Sequence, residues 1–301
     1  MSAQHFGERL MEAVRARRSH VVVGLDPDYE SIPAQVREAH PRQAYPGEAE
    51  MKSACYREFL SGILDSVAGE AVAVKIQVAY FEALGAAGYQ LYEDLVGPAR
   101  DRGLLVIADA KRGDIGSTAE AYAKAHLDRA DADAVTVSPY LGTDSLEPFL
   151  RRARERGKGL FVLVKTSNPS SVDLQDLELA SGRTVYAQVA ELVNEWGRDI
   201  RSPGGYSSVG AVVGGTHPRA GAELRALMPG VPFLVPGYGA QGAGADDLRG
   251  FFDHSGLGAV VNSARAILYA YRRHADLTWQ EAAHREAGEM RAALWRAAGL
   301  G

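Results

Sequence analysis

Eight short runs rich in Val, Ile and Leu recur along the 301-residue chain, each separated from the next by a stretch of helical periodicity. They cover 20–26, 71–77, 104–110, 134–138, 159–165, 209–214, 232–235 and 258–262. Runs this apolar read as strands covered on both faces, as in a parallel sheet. The intervening helical stretches are 51–66, 81–100, 117–129, 145–156, 182–198, 218–227, 246–253 and 263–273, with a last one over 278–297. Eight strands alternating with helices predict an α/β fold of the (β/α)8, or TIM-barrel, type. A doubly wound open sheet is the rival. It is weakened because Gly24-Leu25-Asp26-Pro27, not a G-x-G-x-x-G turn, follows the first strand. The expected organisation is one barrel over 1–301 with two long insertions, at about 27–50 and 168–208. Both follow odd-numbered strands at the barrel face where long loops carry function.

Composition narrows the partners. The net charge is −5, which argues against broad nucleic-acid binding but leaves room for a local basic pocket. No apolar run approaches the ~18 residues of a membrane span. The charged N-terminus, with Phe6, Leu10 and Val14 on one helical face, does not read as a signal peptide. A single cysteine, Cys55, excludes an internal disulfide and suits a reducing cytoplasm. Cys55 itself sits in a helical pattern and reads as packing. The histidines show no metal-ligand spacing. Trp279 and Trp295 read as core, and His217 as a turn or cap residue. Of the 33 basic side chains only six are Lys, at 52, 75, 111, 124, 158 and 165, leaving 27 Arg. Lysines are worth a separate look because an ammonium does proton chemistry that a guanidinium cannot. Lys52, Lys124 and Lys158 fall in helices or a turn, where solvation is the ordinary reading.

The others fall at strand ends. In a barrel, polar residues at the C-terminal strand ends are read as catalytic. Strand 1 ends in Asp26, strand 2 carries Lys75 and Gln77, strand 3 ends Asp109-Ala110-Lys111-Arg112-Gly113-Asp114, and strand 5 ends in Lys165. Asp109 and Lys111 are two apart and share a strand face. Asp114 adds a second carboxylate and Lys75 a further ammonium, so the strand ends predict an alternating charge array. Such an array costs much to bury unless closely paired; the bland alternative is an ion-pair plug at the barrel mouth. Near the end of the chain, the Gly-rich segment 236–244 follows strand 7, and Asn262-Ser263-Ala264-Arg265 follows strand 8. Loops 7 and 8 are where barrels bind phosphate, and Arg265 is placed to fork two phosphate oxygens.

These residues resemble the orotidine 5′-phosphate decarboxylase family. Asp109-Ala-Lys111-Arg-Gly-Asp114-Ile115-Gly-Ser-Thr118 is similar to its signature D-x-K-x-x-D-I-x-x-T. The likeness extends to Gly24-Leu25-Asp26, Val74-Lys75, Thr166-Ser167-Asn168-Pro169, the Pro236–Gln241 loop and Arg265, and the length resembles the longer bacterial (type 2) branch. The resemblance implies a cytoplasmic homodimer with a shared site. It would convert orotidine monophosphate to uridine monophosphate and carbon dioxide in pyrimidine biosynthesis, with no metal or organic cofactor. It implies that Lys111 donates the proton to pyrimidine C6, Asp109 faces the substrate carboxylate, and Asp26 and Lys75 hold the ribose hydroxyls. Asp114 and Thr118 would reach into the partner's site, Ser167 would contact the pyrimidine, and Gln241 and Arg265 the phosphate. Where the family often has Gly-Arg after strand 8, this chain has Ala264-Arg265. Three other readings remain: a metal-using phosphosugar lyase on a similar barrel, a Schiff-base aldolase with Lys165 or Lys111, and a nucleotide-binding protein without turnover.

Overall fold

In a computed structural model, which describes residues 5–239 and 242–301, eight parallel strands close into a barrel in the order β1-β2-β3-β4-β5-β6-β7-β8. The strands are β1 (Val21–Leu25), β2 (Ala73–Gln77), β3 (Leu105–Arg112), β4 (Ala134–Val137), β5 (Gly159–Lys165), β6 (Val209–Val213), β7 (Phe233–Val235) and β8 (Ala259–Ser263). Each lies inside or within two residues of an apolar run read from the sequence. The continuous apolarity has its cause in two separate cores. Alternate residues turn outward, as Val21, Val23 and Leu25 do from β1, and pack under the helices. The residues between them turn inward and fill the barrel with Val22, Ala73, Ile107, Ala134, Phe161, Val212, Leu234 and Val260, one from each strand.

The N-terminal helix, Phe6–Arg17, closes the bottom of the barrel. Phe6, Leu10, Met11 and Val14 belong to the interior core, with the Phe6 ring edge-on to Phe161 at 5.8 Å. Burial of side chains of this size is worth about 1.5–3 kcal/mol each. The last helix, Trp279–Ala297, starts at a reciprocal cap between Thr278 and Glu281, the S/T-x-x-E pattern visible in the sequence. It lies against the helix Glu48–Val67. There a Cβ on Gly62 would sit 2.1 Å from the Trp279 ring, so only glycine permits the approach.

Several helical stretches differ in detail. The stretch 81–100 is two helices, Val78–Glu82 and Gly85–Asp101, and 117–129 is an α-helix, Gly116–Ala123, running into a π-turn at Lys124–Arg129. The stretch 246–253 is a 3-10 segment, Asp246–Phe251. The connection 27–50 holds the short helix Ala34–Glu38 between two 3-10 turns. The connection 168–208 holds the helix Val185–Trp196. Lys158 corrects the solvated reading. It is buried, donating to Asp131 Oδ1 at 2.5 Å and to the Ala132 carbonyl at 2.9 Å, because the end of helix Thr143–Arg156 brings it against the turn that leads into β4. Lys52 is a surface residue paired with Glu48 one turn away. Cys55 is buried, and desolvation pushes its thiol up to about 11, so it packs and does not react. Trp279 is core, whereas Trp295 is only half-buried.

Candidate active site

Moving up the barrel axis, the inward positions change from apolar to charged. β2 gives Ala73, then Lys75 and Gln77; β3 gives Ile107, then Asp109; β4 gives Ala134, then Thr136; β8 gives Val260, then Asn262. The polar layer forms the floor of a cavity of about 380 Å³, a volume in the range of small-molecule sites. Its walls come from Ser167 after β5, Gly237 and Tyr238 after β7, and Ala264 and Arg265 after β8.

Asp109 is the hub. Its Oδ2 accepts from Lys75 Nζ at 2.6 Å and Gln77 Nε2 at 3.0 Å; its Oδ1 accepts from Lys111 Nζ at 2.6 Å and Thr136 Oγ1 at 2.9 Å. Asp26 extends the series, its Oδ1 3.7 Å from Lys75 Nζ. The series Asp26–Lys75–Asp109–Lys111 alternates in sign across the barrel mouth, with Lys75 its most deeply buried member. Side-chain exposure is 5% for Lys75 and 7% for Asp109 but 46% for Lys111, so of the two ammonium groups Lys111 is the more open to the cavity. Burial would push the Asp109 carboxyl up, but Lys75 and Lys111 outweigh it and hold the group well below the usual carboxylate range. Burial likewise disfavours the Lys75 ammonium, and Asp109 and Asp26 overcome that to hold it above the ordinary lysine value. Among the cavity-lining residues two oxygens are buried without a hydrogen-bond partner, Asp26 Oδ1 and Asn262 Oδ1. Stranded acceptors of this kind are costly, and a ligand's donor would satisfy them.

The shared face of Asp109 and Lys111 is reached by an irregular route. β3 keeps register with β4 through Ala108↔Val135 and regains it only at Arg112↔Val137, so residues 109–111 stand opposite Thr136 alone. Lys111 takes φ +46, rare for a residue with a side chain. Its N–H donates to Thr136 Oγ1 at 2.9 Å. Thr136 therefore grips both ends of the bulge, which re-aims Lys111 over the cavity.

The remaining sequence-predicted residues divide. Asp26, Lys75, Asp109, Lys111, Ser167 and Arg265 all line the cavity. Asp114 does not join the array: its Oδ1 accepts from the neighbouring Ile115 N–H, and it lies past the bulge outside the cavity of its own chain. Thr118 is exposed on the helix Gly116–Ala123, also away from that cavity. Gln241 lies outside the described residues. Lys165 ends β5, where the sequence places it, but does not line the cavity. Leu163 pairs with Val212 and Lys165 with Val213, leaving Val164 as an extra residue, and this bulge turns Lys165 out of the barrel. His217 precedes helix Pro218–Leu227 but makes no side-chain cap; it lines a second cavity beside Lys165. Thr136, Gln77 and Asn262 are lining residues to which the sequence assigns no role. All three sit at inward parity in the top layer, the one signal that marks them. The Ala264 departure has a local answer. A Cβ on Gly24 would lie 2.6 Å from Ala264 Cβ, so Gly24 on the adjoining strand leaves room for the extra methyl. Among the described residues, no three His, Cys, Asp or Glu side chains converge in a way that could hold a metal ion.

Residues 19–277 match the family described as orotidine 5′-phosphate decarboxylase / HUMPS. The chain is 45% identical over 290 residues to an orotidine 5′-phosphate decarboxylase of Rhodopirellula baltica, covering 92% of this chain and 94% of that one. It is 37% identical to the protein of the same name from Caldicellulosiruptor bescii, covering 93% and 94%. The solved structure of Leishmania donovani OMP decarboxylase superposes with a TM-score of 0.75 at 33% identity, covering 98% of this chain and 100% of that one.

Proposed function

The chain belongs to the orotidine 5′-phosphate decarboxylase / HUMPS family, and from that membership we propose how the mouth of its barrel works. The protein is a carboxy-lyase of pyrimidine biosynthesis that converts orotidine 5′-phosphate to uridine 5′-phosphate and carbon dioxide. The observation that carries the mechanism is the alternating series Asp26–Lys75–Asp109–Lys111, all four lining the cavity and Lys111 the most exposed of them.

Heterolysis of the C6–carboxylate bond releases carbon dioxide and leaves an electron pair on C6, with no adjacent carbonyl to delocalise it. Stabilisation has to be electrostatic and already in place. The Lys111 ammonium supplies it, held by Asp109 and by the bulge, and then transfers a proton to C6. The neutral amine regains a proton from water, so each turnover consumes one proton. Asp109, kept ionised by its two lysines, faces the substrate carboxylate. Lys75 and Asp26, whose Oδ1 pairs loosely with Lys75 and has no hydrogen bond, bind the ribose hydroxyls. Ser167 contacts the pyrimidine, and Arg265 with Gln241 the phosphate. The chemistry needs no metal or organic cofactor.

The active species is proposed to be a cytoplasmic homodimer. No described helix is long and apolar enough to cross a membrane. Tyr80, Ile115, Tyr140 and Leu141 are exposed on the segments that follow β2, β3 and β4, Ile115 directly after Asp114 in the chain. A partner packed on this apolar face would receive Asp114 and Thr118 at the edge of its own cavity.

The direct test is the loss of orotidine monophosphate absorbance on adding purified protein in the presence of a chelator. Lys111→Ala should lower turnover by at least about 10³-fold while uridine monophosphate still binds. Unchanged turnover in that variant refutes the assignment, and loss of wild-type activity with chelator refutes the metal-free chemistry.

A further inference from the structure

Of the three lysines at strand ends, Lys165 stands apart from the cavity and from the decarboxylation. It is 2% exposed, and burying an ammonium costs several kcal/mol unless its partners are well placed. Its partners all lie on the excursion that follows β5. Nζ donates to Asp176 Oδ1 at 2.6 Å and to Ser171 Oγ at 3.1 Å, and sits 5.6 Å from the centre of the Tyr186 ring. An apolar residue here would fill the space without that cost, but it would leave the excursion untied.

The tie leads to the cavity wall. Next to Asp176, the Gln175 amide holds Thr166 twice: Oε1 accepts from the Thr166 N–H at 2.9 Å, and Nε2 donates to Thr166 Oγ1 at 2.8 Å. Thr166 is bonded directly to Ser167. From the other side, Thr216 Oγ1 donates to the Ser167 carbonyl at 3.1 Å, and a Cβ on Gly214 would lie 2.7 Å from Ser167 Cα. The Gly214 N–H in turn donates to the Lys165 carbonyl at 2.7 Å. Ser167 is thus clamped between the end of β6 and a loop whose far arm is anchored on Lys165.

We propose that Lys165 is a positioning residue for decarboxylation: through Asp176 and Gln175 it fixes Thr166 and so sets Ser167 against the substrate ring. This role rests on the reading of Ser167 as the pyrimidine contact. A side chain displaced by about 1 Å loses up to about 10²-fold in rate, so the tie is worth its buried charge if Ser167 works through it.

A double-mutant cycle tests this. Steady-state kinetics on orotidine monophosphate would compare wild type, Lys165→Met, Gln175→Leu, Ser167→Ala, and each of the first two combined with Ser167→Ala. Lys165→Met and Gln175→Leu are each expected to raise KM and lower kcat/KM by about tenfold. Each combined variant should be no worse than its poorer parent within about twofold, because the tie has nothing left to position once the Ser167 hydroxyl is gone. Fold-losses that multiply in the combined variants overturn the proposal. If Lys165→Met does not fold, the Gln175→Leu cycle decides alone, since Gln175 removes no buried charge, and its melting temperature should stay near wild type. Wild-type protein that neither turns over orotidine monophosphate nor binds uridine monophosphate would overturn the function itself, before any variant is compared.

Discussion

Asp109 accepts from four side chains at once, two of them ammonium groups, and its ionisation is the residue-scale foundation of the site. Because its folded pKa lies below the unfolded value of about 3.9, its stabilisation is fully present above that value and is lost only as pH falls through the folded one. Asp109→Asn should therefore destabilise the protein at pH 7 by about 3–5 kcal/mol, the cost of leaving Lys75 buried with one distant partner. Urea unfolding of wild type and variant should show that gap unchanged from pH 7 down to about 4.5. A gap that closes already between pH 7 and 5 would mean Asp109 takes up a proton there. Asp109, Lys111 and Lys75 are legible in the sequence because packing alone would never place a charge inside an apolar strand. Lys158 is not, because its burial depends on where a helix end comes to rest.

At the scale of elements, two bulges decide what strand alternation cannot. In β3 the bulge keeps Lys111 on the face of Asp109 at the cost of a positive φ, about 1–3 kcal/mol for a residue with a side chain. In β5 a one-residue bulge sends Lys165 to the opposite face from the one its spacing from Leu163 implies. The period-2 rule gives the right answer for the first pair and the wrong one for the second, since a bulge leaves no consistent mark in composition. Thr136 on β4 secures the first bulge from both sides. Thr136→Val keeps the shape but removes the hydroxyl. It should lower kcat by about 10–100-fold through misplacement of Lys111 and cost about 1–3 kcal/mol of stability for the bonds lost. Single-turnover kinetics with a parallel thermal melt would check both, and a variant with wild-type kcat would remove Thr136 from the site.

On the scale of the whole molecule, Asp114 and Thr118 have no work within their own chain's cavity, while Tyr80, Ile115, Tyr140 and Leu141 are exposed on the segments that follow β2, β3 and β4. The proposed dimer accounts for both facts. Lys111→Ala and Asp114→Ala proteins, each inactive alone, should recover up to about a quarter of wild-type activity when mixed under exchange, because one site of each mixed dimer is then intact. Sedimentation of the wild type as a monomer, or no recovery on mixing, would sink the shared site. The sequence by itself determined the barrel and the identity of its charged strand ends. Eight apolar runs can be buried on both faces in few ways, and a local motif survives any change in its surroundings. Only the tertiary structure decided which charges meet. Whether Lys75 and Lys111 share Asp109, and whether Lys165 faces the cavity or the loop behind it, depends on interstrand register and bulges. Those are set by packing between distant segments, not by the residues next to them in the chain.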